Sequence, residues 1–142
     1  MKNIVILFLL FFIISCGTSI QTMLSSIEET VDETYGYTIG NPIRIGYSSP
    51  QKSIDYTYEF IDRLRDSSNM PLKLLYRVSV IDTNYKPSFW EKIPKRYGNS
   101  GSSAILDRYT LTKNNDRDTV NLFVDIFKEE PLYIPKGLQF VK

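Results

Sequence analysis

Apolar residues follow three rhythms along the chain. Residues 4–14 (IVILFLLFFII) are apolar without interruption. Ile54, Tyr58, Ile61 and Leu64 recur at three- and four-residue spacing, with Phe60 widening the stripe, as in a helix that buries one face. Ser49 and Pro50 precede that stripe. A serine cap satisfies free amides and a proline in the first turn forfeits no needed bond, so the helix is expected to run from Pro50 to about Asp66. The remaining runs alternate. Ile43 and Ile45 in residues 42–46, Leu74, Tyr76, Val78 and Val80 in residues 72–82, and Val120, Leu122, Val124 and Ile126 in residues 119–127 each line one side of an extended strand. Residues 105–113 read as another strand, joined to 119–127 through the polar turn 114–118 as a β-hairpin, and residues 138–141 as a short terminal one.

This order predicts an α+β fold: a small, mainly antiparallel sheet of four to five strands with one amphipathic helix packed on a face. Pro87, Pro94 and the GNSGSSA run leave residues 83–104 irregular. The single domain is expected to occupy residues 35–142. Residues 16–34 read as a tether whose Glu28, Glu29, Asp32 and Glu33 form a solvated face. Within it Met23, Leu24, Ile27 and Val31 are spaced like one side of a short helix, which leaves open docking on a partner or on the domain itself.

The first apolar run has a different use. Lys2 supplies a positive n-region and residues 4–14 an apolar h-region of signal-peptide length. At about 1.5 Å per residue that run is too short to cross roughly 30 Å of hydrocarbon. Ile13-Ile14-Ser15-Cys16 resembles the bacterial lipobox, with Ile13 in place of Leu and Ile14 bulkier than usual. The resemblance implies that residues 1–15 are removed, that Cys16 carries a diacylglyceryl thioether, and that the membrane is a partner through this anchor. Gly17 stands where an Asp would favour inner-membrane retention, so the expected address is the periplasmic face of the outer membrane.

Composition narrows the chemistry. The 142 residues include 17 basic and 16 acidic side chains, and Lys2 is the only charged residue before Cys16, so the processed chain is neutral. A neutral domain lacks the basic footprint that phosphate contacts require, and no nucleic-acid partner is expected. There is no histidine, and Cys16 is the only cysteine. A Ser-His-Asp triad, a Cys-His pair, an HExxH site, Cys-rich zinc sites and a disulfide framework are thereby excluded from the domain. Neither a Walker loop nor GxGxxG occurs, and no cofactor is expected.

Several short motifs can be taken together: Tyr35-Gly36-Tyr37-Thr38, Asn41-Pro42-Ile43, Gly46, Arg77, Leu106-Asp107 with Tyr109, and Pro135 with Gly137. They resemble a group of small Bacteroidetes lipoproteins with a YGYT..NPI..G start, an LD.Y strand and a closing Pro-x-Gly turn, over about residues 35 to 140. Members often have Cys after the central Arg, whereas Val78-Ser79-Val80 follows Arg77, which removes any thiol role implied by that resemblance. An aldolase label sometimes attached to such proteins conflicts with size, because its (β/α)₈ barrel needs roughly 250 residues.

The segment 85–97 (YKPSFWEKIPKRY) is the candidate binding surface: Tyr85, Phe89 and Trp90 with Lys92, Lys95 and Arg96. Aromatic faces beside cations suit a partner hot spot or a sugar ring. The alternative is that Phe89 and Trp90 cover an edge of the sheet. Asp107 and Asp125, on neighbouring strands, are the one pair that could serve glycoside chemistry, with plain cross-strand pairing as the alternative. These readings converge on a non-enzymatic envelope lipoprotein that binds another envelope protein or glycan. A small carboxylate-dependent hydrolase and a lipoprotein immunity or inhibitor protein are the rivals.

Overall fold

The structure, a computed structural model, describes residues 24–86, 105–113 and 118–142. Its elements are β1 (Ile43–Arg44), α1 (Pro50–Asp62), β2 (Leu64–Arg65), β3 (Lys73–Ile81), β4 (Ile105–Thr112), β5 (Thr119–Asp125) and β6 (Gln139–Phe140). The main sheet has four strands in the order β1-β5-β4-β3, and β2 pairs with β6 in a separate two-stranded ribbon. The α+β expectation with one helix holds. The sheet is mixed, because β1 runs parallel to β5 while β5-β4-β3 is antiparallel. The terminal strand pairs with Leu64 and Arg65 rather than extending the sheet.

Ser49 caps α1 by accepting from the Lys52 amide, and Pro50 occupies the first turn as expected. The helix ends at Asp62, one turn early, because the chain enters β2 at Leu64. Its buried face is also rotated from the apolar stripe: Ser53, Thr57, Phe60 and Ile61 face the sheet, and Tyr58 is half exposed. Ser53 and Thr57 can be buried because their hydroxyls donate to the carbonyls four residues back, at 3.1 and 2.8 Å. Small side chains there let the helix lie close, with Phe60 stacked against Phe140.

The core joins Ile43, Phe60, Ile61, Leu64, Tyr109, Leu111, Leu122, Val124 and Ile126. The inward face anticipated for β5 is therefore present, with Val120 partly buried. In β3 the alternation slips. Leu74 pairs with Leu111 and Tyr76 with Thr110, so Leu75 is an extra residue, a β-bulge. A one-residue slip exchanges faces, so Leu74 joins the core while Tyr76 and Val78 turn to the outer face.

The tether boundary needs correction. Leu24 is fully buried and Ile27 nearly so, both within the core. The Thr30 amide donates to the Ile134 carbonyl at 3.0 Å and the Ile134 amide to Glu28 at 2.8 Å. Glu29 accepts from the Gly137 amide at 2.8 Å and Glu33 pairs with Lys136. Residues 24–34 thus belong to the folded body; Glu28, Glu29, Asp32 and Glu33 stay exposed as expected, with Glu29 and Glu33 tied to the C-terminal tail and Asp32 to Thr34 and Asn41.

Two glycines set the packing around β1. Gly36 has φ +79°, and a Cβ there would meet Ile43 at 3.0 Å and Pro135 at 3.2 Å. It turns the chain so that Tyr35 is buried, its hydroxyl accepting the Tyr133 amide at 3.2 Å. Burial pushes the Tyr35 phenol up to about 12. Gly46 admits backbone: a Cβ would lie 2.5 Å from the Lys128 carbonyl carbon, and its amide donates to the Lys128 oxygen at 2.6 Å.

Candidate functional site

Of the segment 85–97, only Tyr85 and Lys86 are described. Phe89, Trp90, Lys92, Lys95 and Arg96 lie outside the described residues, as does Cys16. Tyr85 follows a turn in which its amide donates to the Asp82 carbonyl at 3.2 Å, and the Lys128 ammonium sits 5.2 Å from its ring centre. This cation–aromatic contact fixes Tyr85 against the loop after β5.

The two aspartates do not form a catalytic pair. Asp107 stands opposite Val124, so Asp125, one residue further on, points to the other face of the sheet. Each has structural partners. Asp107 is nearly buried and accepts from the Arg77 guanidinium at 2.7 Å and the Ser79 hydroxyl at 3.0 Å. Arg77 also lies over the Tyr109 ring at 5.7 Å, and Tyr58 meets that ring edge-on at 5.9 Å. The Tyr109 hydroxyl is buried and makes no hydrogen bond among the described residues. Burial and the Asp107 charge hold that phenol protonated far above its ordinary range.

Asp125 stands opposite Arg44, whose guanidinium reaches Glu130 at 2.8 Å. Its Oδ1 accepts the amides of Phe127 and Lys128 at 2.9 and 3.2 Å, closing the turn after β5. Burial nevertheless raises its proton affinity, with those amides and Lys128 opposing. The folded state therefore holds the Asp125 proton more tightly than the unfolded chain does. Its penalty is full above the raised folded value and vanishes below the ordinary carboxyl value of about 3.9. Asp125→Asn keeps the turn acceptor and removes the charge. Measured by urea unfolding from pH 7 down to about 3, wild type should gain stability relative to Asp125→Asn as the pH falls; a relative loss would contradict burial as the controlling influence.

Among the described residues, no group of three or more Cys, Asp and Glu side chains is arranged to hold a metal ion. No described helix is long and apolar enough to cross a membrane. Two shallow depressions are lined by the described residues. One, about 380 Å³, lies between the second half of α1 and the start of β3, lined by Tyr58, Glu59, Ile61, Asp62, Leu72 and Leu74. Its Glu59 is held by Arg63 at 2.7 Å. The other, about 240 Å³, is bordered by Ile27, Glu28, Leu132 and Tyr133.

The conspicuous surface is β3 itself. It ends the sheet order, paired on one side with β4 and, among the described residues, with no strand on the other. Leu75, Tyr76, Val78 and Ile81 are 47, 49, 41 and 72% exposed, and Ile105 beside Ile81 is 51% exposed. No acid occurs within Lys73–Ile81. A long apolar edge without acidic residues is what folded proteins ordinarily avoid or occupy with a partner. Compared with known proteins, the chain matches no family model, no curated protein and no solved structure.

Proposed function

We propose that the protein is a non-enzymatic binding and assembly module of the bacterial envelope, anchored by lipid on Cys16 at the periplasmic face of the outer membrane, that takes a polypeptide partner by strand addition at β3. The observation that supports this reading is the exposed, acid-free, apolar edge of β3. Backbone amides and carbonyls along such an edge give affinity, and alternate side chains give selectivity. The contact surface accordingly moves from the 85–97 segment to the strand that leads into it. The anchor follows from the apolar run ending at Cys16; two acyl chains there suffice for stable membrane association.

A photo-reactive amino acid placed at Val78 of the full-length chain in membranes should give discrete protein adducts. The same group at Val31, which is 93% exposed and outside the strands of the sheet, should give none. Equal or diffuse labelling at the two positions would overturn strand addition. In the same membranes, Cys16→Ala should lose palmitate labelling; retained label would remove the anchor.

A further inference from the structure

The reading of β3 as a strand-addition edge leaves open what adds to it, and we infer that the occupant is a second copy of this chain, paired antiparallel through β3 about a two-fold axis at Val78. The inference rests on the proposed function and specifies its partner. It comes from the register that the bulge imposes. Residues directly opposite in an antiparallel pair share a face, and Leu75 is an extra residue in the β3 ladder. Centring on Val78 then sets Arg77 opposite Ser79, Tyr76 opposite Val80, Leu74 opposite Ile81 and Lys73 opposite Asp82 of the other copy.

Each pairing is favourable. Among the described residues Lys73 has no ion-pair partner, and Asp82 accepts on its side chain from the Asn84 amide at 2.9 Å. The two-fold places Lys73 against Asp82 twice, giving charge complementarity at both ends of a strand that has no acid of its own. Tyr76 beside Val80 is an aromatic and β-branched pair on the outer face. Arg77 faces Ser79 rather than a like charge, and the Arg77 of the other copy, diagonal to it on the same face, is like it neutralised by its own Asp107. Ile81, the most exposed large apolar residue of β3, arrives beside Leu74. There the depression of about 380 Å³ formed with Tyr58, Ile61 and Leu72 stands open to receive it, so each copy offers both knob and socket.

The ends of the free edge agree with this span. At one end Pro71 and Leu72 are already bridged to Arg65 and Leu64, so the open edge begins at Lys73. At the other the chain turns away after Asp82, where its carbonyl accepts the Tyr85 amide. The partner strand therefore turns aside where β2 would obstruct it. The pairing closes on itself, leaving no β3 edge exposed to further chains.

Variants of the full-length chain with one introduced cysteine, the Cys16 thiol being blocked by its thioether, are oxidised in membranes with copper–phenanthroline to test the register. Val78→Cys should form a disulfide-linked dimer, because Val78 faces itself across the axis. Tyr76→Cys or Val80→Cys alone should not, since each lies about four residues, roughly 13 Å, from its own copy. Co-expressed, those two should link to each other. Lys73→Glu in the Val78→Cys background should reduce the linked dimer several-fold, about tenfold if both ends contribute, and adding Asp82→Lys should restore it. Linking of Val78→Cys no better than Val31→Cys, linking of Tyr76→Cys alone as strong as Val78→Cys, or no rescue by the charge swap would overturn self-pairing in this register. If Val78→Cys stays monomeric while the photo-reactive group at Val78 captures a different polypeptide, self-pairing falls and strand addition stands. Absence of both signals removes both.

Discussion

A chain begun at residue 34 should fail to unfold cooperatively in urea, whereas one begun at residue 22 should do so. The missing stretch holds Leu24 and Ile27, which are 0 and 5% exposed in the core. Truncating one buried Leu or Ile to Ala ordinarily costs about 2–5 kcal/mol. Removing both side chains therefore consumes much of the roughly 5–15 kcal/mol that holds a domain of this size together. The loss goes beyond packing, since the Ile134 amide and carbonyl give up Glu28 and Thr30, and the Gly137 amide gives up Glu29. Leu24→Ala in the longer chain should lower stability by about 3 kcal/mol. Circular dichroism showing an intact, cooperative 34–142 fragment would return residues 24–34 to the status of a tether.

That stretch shows where sequence reading stops. Its apolar spacing was legible in Leu24 and Ile27 and its four acids are exposed as read, but the contacts that tie two of those acids to the body are remote in sequence. Glu33 meets Lys136, and Glu29 meets the Gly137 amide, more than a hundred positions away. No local pattern carries such information. The helix cap at Ser49, the β4–β5 hairpin and the inward face of β5 were legible because each is a short-range pattern.

The candidate site divides in the same way. The 85–97 segment stood out by composition, and of its named residues only Tyr85 falls among those described, held by Lys128 from the far side of the chain. The Asp107 and Asp125 pairing failed on parity. Strand adjacency was read correctly, but which face each carboxylate takes depends on the register, and Asp107 faces Val124. The β3 edge was hidden for a related reason. The bulge at Leu75 changes which parity is buried, and strand order, which a sequence does not state, decides which strand lies outermost.

The Arg77, Ser79, Asp107 and Tyr109 cluster gives the second large expected effect, and it separates a structural network from a working carboxylate. Asp107→Ala leaves Arg77 without its partner and Ser79 without its acceptor. Breaking a buried pair from one side typically costs about 3–5 kcal/mol, but the Arg77 side chain is 27% exposed and can turn to water, so a loss of about 2–3 is expected. Replacing both partners by apolar residues removes the stranded charge. Arg77→Met with Asp107→Leu should recover most of that stability, because a well-packed apolar pair is often no worse than the ion pair it replaces. Tyr109→Phe should be neutral or stabilising by up to about 1 kcal/mol, since the lost hydroxyl is buried without a hydrogen bond. Urea midpoints of these three variants and of the single Arg77→Met and Asp107→Leu proteins, compared with wild type at one pH, measure each difference. Equal, additive losses for Arg77→Met and Asp107→Leu, together with destabilisation by Tyr109→Phe, would show that the cluster is not a self-contained pair and that the Tyr109 hydroxyl has a partner that matters.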